Sequence, residues 1–113
     1  MKAGPLSPAA AYLAIYPALA ELGREHGYAL TVHGTMGRDF DLVAIPWVER
    51  AAPGLVLVEA LAALLNANWL RGPDGDPERK PHGRLAWTLM LESGCSVDLS
   101  VMPLAPGLEG ETP

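Results

Sequence analysis

Three aspartates are notable because each is flanked by apolar residues that are typical of a sheet core. Asp39 and Asp41 flank Phe40, and Asp98 lies between two apolar residues further along the chain. Side chains two positions apart on a strand point to the same face, so Asp39 and Asp41 are expected to lie together. If the strand that carries Asp98 runs beside them, all three carboxylates meet on one sheet face. Clustered carboxylates repel one another, and a divalent cation such as Mg²⁺ offsets that repulsion.

A short turn before these acids has the composition of a phosphate-binding turn. Gly34 lets a phosphate approach the backbone, and the Thr35 hydroxyl and nearby N–H groups can hydrogen-bond phosphate oxygens. Two arginines, Arg38 directly before the acids and Arg84 at the start of a later strand, are candidates to neutralise a phosphate. Trp47 is either a core or edge packing residue or a platform that stacks a base at the mouth of the site. A phosphate-binding turn beside metal-binding carboxylates is suited to phosphoryl or nucleotidyl transfer.

These residues depend on six predicted elements in the order α-β-β-α-β-β. Hydrophobic spacing and turn residues predict helices over 8–26 and 52–66, and strands over 28–33, 39–45, 84–91 and 96–102. Pro17 lies inside the first helix and is expected to kink or split it. The predicted fold class is α+β: a small mixed or antiparallel four-stranded sheet with two main helices packed on one face.

The chain is predicted to fold as one domain. It has 113 residues, and half of them are apolar, which is enough to bury a core. The domain is expected to span residues 7–102, with flexible tails over 1–6 and 103–113. Clustered glycine, proline and aspartate predict a flexible loop over 67–83.

The composition excludes several classes of function. Cys95 is the only cysteine, which rules out an intrachain disulfide scaffold and a multi-cysteine zinc site. The net charge of −5 argues against holding nucleic acid by bulk charge, and no strong nucleic-acid signal is present. No apolar stretch is long enough to span a membrane. The expected location is the cytoplasm, which for a phage-encoded protein is that of the host.

A resemblance to a known family runs through the same residues. The sequence HGTMGRDFDLV at 33–43, with VDL at 97–99, resembles the minimal nucleotidyltransferase fold of the DNA polymerase beta type. That family has a Gly-Ser turn, then Asp-x-Asp on a strand, then a third Asp on a later strand. The wording HGTMGRDFDLVAIPW with KPHGRLAW is also similar to small uncharacterised proteins of phages and prophages.

The resemblance implies a role for each residue of the pattern. Gly34 and Thr35 would contact the phosphates of a nucleoside triphosphate. Asp39 and Asp41 would bind Mg²⁺, and Asp98 would be a further ligand or the base for the attacking hydroxyl. These three acids would be the catalytic residues of a nucleotidyltransferase.

Several alternatives to an active transferase remain. The three residues between Thr35 and Asp39 make a shorter turn than the family has, so an inactive relative is one alternative. Another is a non-enzymatic phage-type protein that binds a host protein, as an inhibitor or anti-defence factor, through its acidic surface or a strand edge. A third is a component of a toxin–antitoxin pair. The acids can also be solvated residues of a half-exposed strand. A protein partner is expected, and the oligomeric state is left open.

Overall fold

A computed structural model of the chain describes residues 8–70 and 77–104. The elements within these ranges are α1 (Pro8–Glu25), β1 (Tyr28–His33), β2 (Asp39–Pro46), α2 (Gly54–Leu65), β3 (Asn68–Leu70), β4 (Glu78–Arg79), a 3₁₀ turn (Pro81–Gly83), β5 (Leu85–Met90) and β6 (Ser96–Val101). The predicted tails lie outside the described residues except for Pro103 and Leu104. Leu104 packs against the core, so the C-terminal tail does not begin at 103 as expected.

The described strands belong to one mixed sheet. Along its main path the strand order is β1-β2-β6-β5-β3. β4 pairs with the same edge of β5 as β3 does. β2 and β6 are parallel, and the other pairs are antiparallel. The predicted α+β class with two helices is confirmed. The sheet is the mixed one of the two predicted kinds, and it has six strands instead of four.

The two additional strands lie in the segment that was expected to be a flexible loop, residues 67–83. β3 has three residues and β4 has two. Neither is long enough to show the alternation by which a strand is recognised in a sequence. Both pair with β5 through the backbone, so both ends of the segment contain a short strand of the sheet. Its middle, residues 71–76, lies outside the described residues.

α1 is one continuous helix although Pro17 lies inside it. A proline has no N–H to donate to the carbonyl of Leu13, four positions earlier. Leu13 and Pro17 are both exposed, so water can hydrogen-bond that carbonyl. The expected split of the helix therefore does not occur. Neither α1 nor α2 has the length and apolar content that a bilayer crossing requires.

Both helices cover the same face of the sheet, and the core lies between the helices and that face. β2 turns Phe40, Leu42 and Ala44 toward the helices, and all three are buried. Leu99 of β6 and Leu89 of β5 extend this apolar face. In the described ranges no helix packs on the opposite face. The side chains that alternate with the core residues therefore form an open sheet face.

Tyr12 of α1 connects the helix with the strands that carry the aspartates. Its ring stacks on that of Phe40, with centroids 4.9 Å apart. Its hydroxyl donates a hydrogen bond to the backbone carbonyl of Arg38 at 2.5 Å and accepts one from the backbone N–H of Ser96 at 3.3 Å. Burial raises the pKa of Tyr12, so its hydroxyl stays protonated. Because Arg38 precedes β2 and Ser96 begins β6, one side chain fixes where both strands begin.

Tyr12→Phe is expected to lower the free energy of unfolding by about 1–3 kcal/mol, because it leaves a backbone N–H and a backbone carbonyl without their partner. Urea-induced unfolding measures the change. Tyr16→Phe is the matched control, since the Tyr16 hydroxyl donates only one hydrogen bond, to the Leu30 carbonyl at 2.6 Å. The control is expected to lose about 1 kcal/mol or less. Equal losses in the two variants would contradict the role given to Tyr12.

Candidate metal and phosphate site

The three aspartates lie on the open sheet face, in two neighbouring strands. In the parallel pair, Asp41 is the register partner of Asp98, and Asp39 is that of Ser96. Register partners project to the same face from strands about 4.8 Å apart. The expectation that the last strand runs beside the strand of Asp39 and Asp41 is therefore confirmed. All three acids are half-buried.

Hydroxyl groups orient two of the three carboxylates. Ser96 Oγ donates a hydrogen bond to Asp39 Oδ1 at 2.7 Å, and Thr88 Oγ1 donates one to Asp98 Oδ1 at 3.0 Å. The carboxyl group of Asp41 lies next to that of Asp98 across the strand pair and raises the pKa of Asp98. Two ionised carboxylates on neighbouring strands repel each other, and a proton or a cation between them would relieve that repulsion. Asp41 and Asp98 are referred to below as the acid pair.

The surroundings of Asp98 favour its protonated form. Partial burial raises its pKa above the ordinary value of 3.8, and the charges of Asp39 and Asp41 raise it further. The hydrogen bond from Thr88 acts in the opposite direction and does not cancel these effects. Neither ion pair in the described part of the chain involves these acids. The site therefore concentrates negative charge that no neighbouring side chain neutralises in the described ranges.

The turn between β1 and β2 passes directly beside the acid pair. His33, the last residue of β1, is the register partner of Asp41. Gly34 has a φ of +80°, and a Cβ at this position would lie 3.1 Å from Oδ2 of Asp41. Thr35 Oγ1 accepts a hydrogen bond from the N–H of Gly37 at 3.2 Å, and its own proton can still be donated. The structure thus brings the predicted phosphate turn and the predicted metal ligands together.

Arg38 is not placed against the acids. Its side chain is exposed, while its backbone carbonyl is bound by Tyr12. No ion pair in residues 8–70 and 77–104 joins Arg38 to a carboxylate, and Arg38 does not line the cavity above the acid pair. Its predicted role in phosphate binding has no contact to support it.

Arg84 does reach the site, through a polar cavity of 320 Å³ that also contains the acid pair. It is half-buried just before β5. Its Nε donates a hydrogen bond to the Pro81 carbonyl at 3.0 Å, and its Nη1 donates one to Ser100 Oγ at 3.4 Å. The guanidinium is therefore held in a defined position, as expected for an arginine that opens a strand.

Trp47 lies away from the site. It follows β2 at the end opposite Asp39, and 79% of its surface is exposed. An extended strand covers about 20 Å between the positions of Asp41 and Trp47. The suggestion that Trp47 stacks a base at the mouth of the acidic site is therefore not supported.

Three hydroxyl residues that the sequence interpretation did not select complete the site. Thr88, Ser96 and Ser100 each hydrogen-bond one charged side chain of the site. The segment SVDLSV, residues 96–101, alternates polar and apolar positions, and this period places both serines on the face of Asp98. That signal could have identified the serines. Thr88 stands among apolar residues and gives no such signal.

Carboxylate oxygens of the acid pair and of Asp39 are donor atoms of the kind that a hard cation prefers. Among the described residues no three His, Cys, Asp or Glu side chains are arranged as a ready-made metal site. Mg²⁺ in phosphate-handling sites is usually held by one or two carboxylates, with substrate phosphates and water as the other ligands. A cation at this position would also offset the repulsion that raises the pKa of Asp98. The oxygen atoms of these carboxylates are therefore of the kind that bind Mg²⁺ when other ligands complete its coordination.

No protein-family model, no curated protein and no solved structure matches this chain.

Asp98→Asn is expected to raise the stability of the metal-free protein at pH 7, because an amide is neutral and can still accept the hydrogen bond from Thr88. The native state binds the Asp98 proton more tightly than the unfolded state does. This carboxyl therefore favours folding below its ordinary pKa, and that contribution is lost as the pH rises through the raised pKa. The variant should lose less stability than the wild type between about pH 4 and pH 7.

Thermal unfolding in EDTA across this pH range measures the effect. Glu59→Gln is the control, because Glu59 is an exposed acid on α2, on the other side of the sheet. If Asp98→Asn is less stable than the wild type at pH 7, other groups stabilise the ionised Asp98 carboxylate in the folded protein, and the prediction is wrong.

Proposed function

We propose that this chain is a nucleotidyltransferase-like domain that binds a nucleoside triphosphate together with Mg²⁺. The observation that carries the proposal is the register pairing of Asp41 with Asp98, with Gly34 directly against Asp41. Carboxylates that face each other require a cation or a proton, and a glycine turn beside them leaves room for a phosphate. Metal-bound polyphosphate satisfies both requirements at once.

Each group of the site has a defined task in this proposal. Mg²⁺, when bound, would neutralise phosphate charge and polarise the phosphorus that is attacked. Asp41 and Asp39 supply carboxylate oxygens to hold it, and Ser96 fixes the orientation of Asp39. The turn at Gly34 and Thr35 presents backbone N–H groups and a hydroxyl to the phosphate oxygens.

Asp98 is suited to accept a proton during the transfer. In the proposed reaction an acceptor hydroxyl oxygen forms a bond to the α-phosphorus, and the bond from that phosphorus to the β-phosphate oxygen breaks. Pyrophosphate leaves with the electron pair, and the hydroxyl proton passes to Asp98. Partial burial raises the pKa of Asp98, and this effect remains when a cation offsets the charges of the neighbouring acids, so Asp98 is a stronger base than an exposed aspartate.

Asp41→Asn is expected to weaken Mg²⁺-dependent nucleotide binding by about tenfold or more, because it removes the negative charge of a carboxylate ligand. Isothermal titration calorimetry with each of the four ribonucleoside triphosphates, in Mg²⁺ and in EDTA, measures the affinity. Glu59→Gln is again the matched control and should bind as the wild type does. The absence of Mg²⁺-dependent heat with every nucleotide in the wild type would refute the proposal.

A second candidate function, a protein-binding module, is favoured by the apolar surface at the far end of β2. Trp47 and Val48 are 79% and 50% exposed, and Ile45 next to them is 38% exposed. Exposed apolar side chains that cluster mark interaction sites more often than isolated ones do. An apolar segment of another protein suits this surface, in an inhibitor, an anti-defence factor or a toxin–antitoxin component.

Trp47→Ser separates the two candidates, because Trp47 and Asp41 are about 20 Å apart along the chain direction. A transferase domain should keep its Mg²⁺-dependent nucleotide affinity in this variant. A binding module should instead retain a partner in Asp41→Asn and lose it in Trp47→Ser. Affinity capture with both variants and the wild type, followed by titration of the captured protein, measures the difference. Capture that is the same in both variants would contradict the assignment of this surface.

A further inference from the structure

We infer that Arg84 and Ser100 form a second anion subsite that takes a phosphate group of the acceptor, on the side of the acid pair away from the Gly34 turn. The inference rests on the proposed function and names the class of the second substrate. That class is a phosphate ester that also carries a free hydroxyl group. The argument depends on how Arg84 is held, on its charge balance and on its position relative to the turn.

The guanidinium of Arg84 is fixed and still has donors to offer. Its Nε is used by the Pro81 carbonyl and one Nη1 proton by Ser100 Oγ. A guanidinium carries five N–H donors, so three of them remain. The turn before it is unusual, because His82 and Gly83 both have left-handed backbone angles, with φ of 67° and 75°. A positive φ at a non-glycine residue is unfavourable, so the packing of the turn maintains this conformation.

Arg84 also has no carboxylate partner in the described ranges. Lys80, which also lines the cavity, forms an ion pair with Glu78 at 3.0 Å. Arg84 forms no ion pair with a described residue. A half-buried, oriented arginine without an acidic partner is suited to bind an anion that the protein does not itself supply.

The position of Arg84 separates it from the Gly34 turn. β1 carries the turn, and two further strands, β2 and β6, lie between β1 and β5. Strands are about 4.8 Å apart, so the backbones of β1 and β5 are about 14 Å apart across the sheet. The acid pair lies between them. The turn and Arg84 therefore approach the acid pair from opposite sides.

The in-line geometry of phosphoryl transfer determines which substrate lies on which side of the acid pair. The attacking and leaving oxygens lie roughly in line on opposite sides of the phosphorus. If the leaving pyrophosphate lies at Gly34 and Thr35, the acceptor approaches from the side of Arg84. Ser100 and Asp98 are two residues apart on one strand face, which is about 7 Å. An acceptor with that spacing between its hydroxyl and its phosphate can place the hydroxyl at Asp98 and the phosphate at Ser100 and Arg84.

Arg84→Gln tests the subsite, and Arg79→Gln is its matched control. Arg79 lies five positions earlier and is exposed, and it lines a different cavity together with Leu85 and Trp87 of the helix-covered face. The first probe is inorganic phosphate in EDTA, followed by NMR at the arginine Nε–H groups. Phosphate should shift the Arg84 signal saturably in the wild type and in Arg79→Gln. Phosphate could instead cause chemical-shift changes that are spread over many basic residues and are equal in Arg84→Gln and Arg79→Gln. That result would overturn the subsite.

The second probe compares a nucleoside 5′-monophosphate with the matching nucleoside, in Mg²⁺ and a non-hydrolysable nucleoside triphosphate. The monophosphate should bind about tenfold or more tightly than the nucleoside, and Arg84→Gln and Ser100→Ala should each reduce that advantage. A short 5′-phosphorylated oligonucleotide in a further titration distinguishes a nucleic-acid end from a small phosphate ester. Equal affinity for monophosphate and nucleoside in the wild type would overturn the inference.

The outcomes also separate this inference from the proposed function. If the triphosphate binds with Mg²⁺ but phosphate does not bind at Arg84, the second subsite fails and the first proposal stands. If Arg84→Gln weakens triphosphate binding as much as Asp41→Asn does, Arg84 serves the nucleotide and the acceptor assignment is wrong. If no triphosphate binds, the proposed function fails, while the phosphate titration in EDTA still reports on the subsite alone.

Discussion

The parallel pairing of β2 with β6 brings Asp41 and Asp98 to adjacent positions although the two residues are far apart in the chain. The register of this pair is set on the other face of the sheet, where Phe40 and Leu99 are buried under the helices. A shift of one residue would turn Leu99 to solvent and Asp98 into the core. Burying the Asp98 carboxylate and exposing Leu99 would both be unfavourable, so the apolar core maintains an arrangement that the acids alone would not adopt.

The same pairing explains why one face of the sheet is open. Parallel neighbours cannot be joined by a tight hairpin, and the connection from β2 to β6 runs through α2 and β5. α2 covers the face that α1 also covers, so both helices bury one set of side chains and leave the alternate set accessible. Tyr12 adds a local constraint, since its hydroxyl bonds the backbone at the starts of β2 and β6. The apolar core, the connection through α2 and β5, and the hydrogen bonds of Tyr12 therefore act together to hold the carboxylates side by side on the sheet.

The sequence was sufficient to predict the parts of this arrangement that repeat along the chain. Alternation over 39–45 and 96–102 predicted both acid-bearing strands and the face on which their aspartates lie. It could not determine strand order, because pairing between distant strands depends on burial that no local pattern encodes. β3 and β4 were missed because their pairing comes from β5 rather than from their own residues. Arg38 was misplaced for a related reason. Its position next to Asp39 in sequence suggested proximity, but its side chain lies outside the cavity.

The three carboxylates differ in the hydrogen bonds they receive, and this difference indicates where a ligand would bind. Ser96 and Thr88 satisfy one oxygen each of Asp39 and Asp98, which fixes these carboxylates before any ligand arrives. Asp41 receives no hydrogen bond from a described hydroxyl or N–H group, and its register partner on β6 is Asp98. A proton and a cation are therefore alternative occupants of the same space, because either one removes the repulsion between the pair. Binding of a cation must displace the proton, so the property that destabilises the ionised pair also makes its oxygens available as ligands once the proton has left.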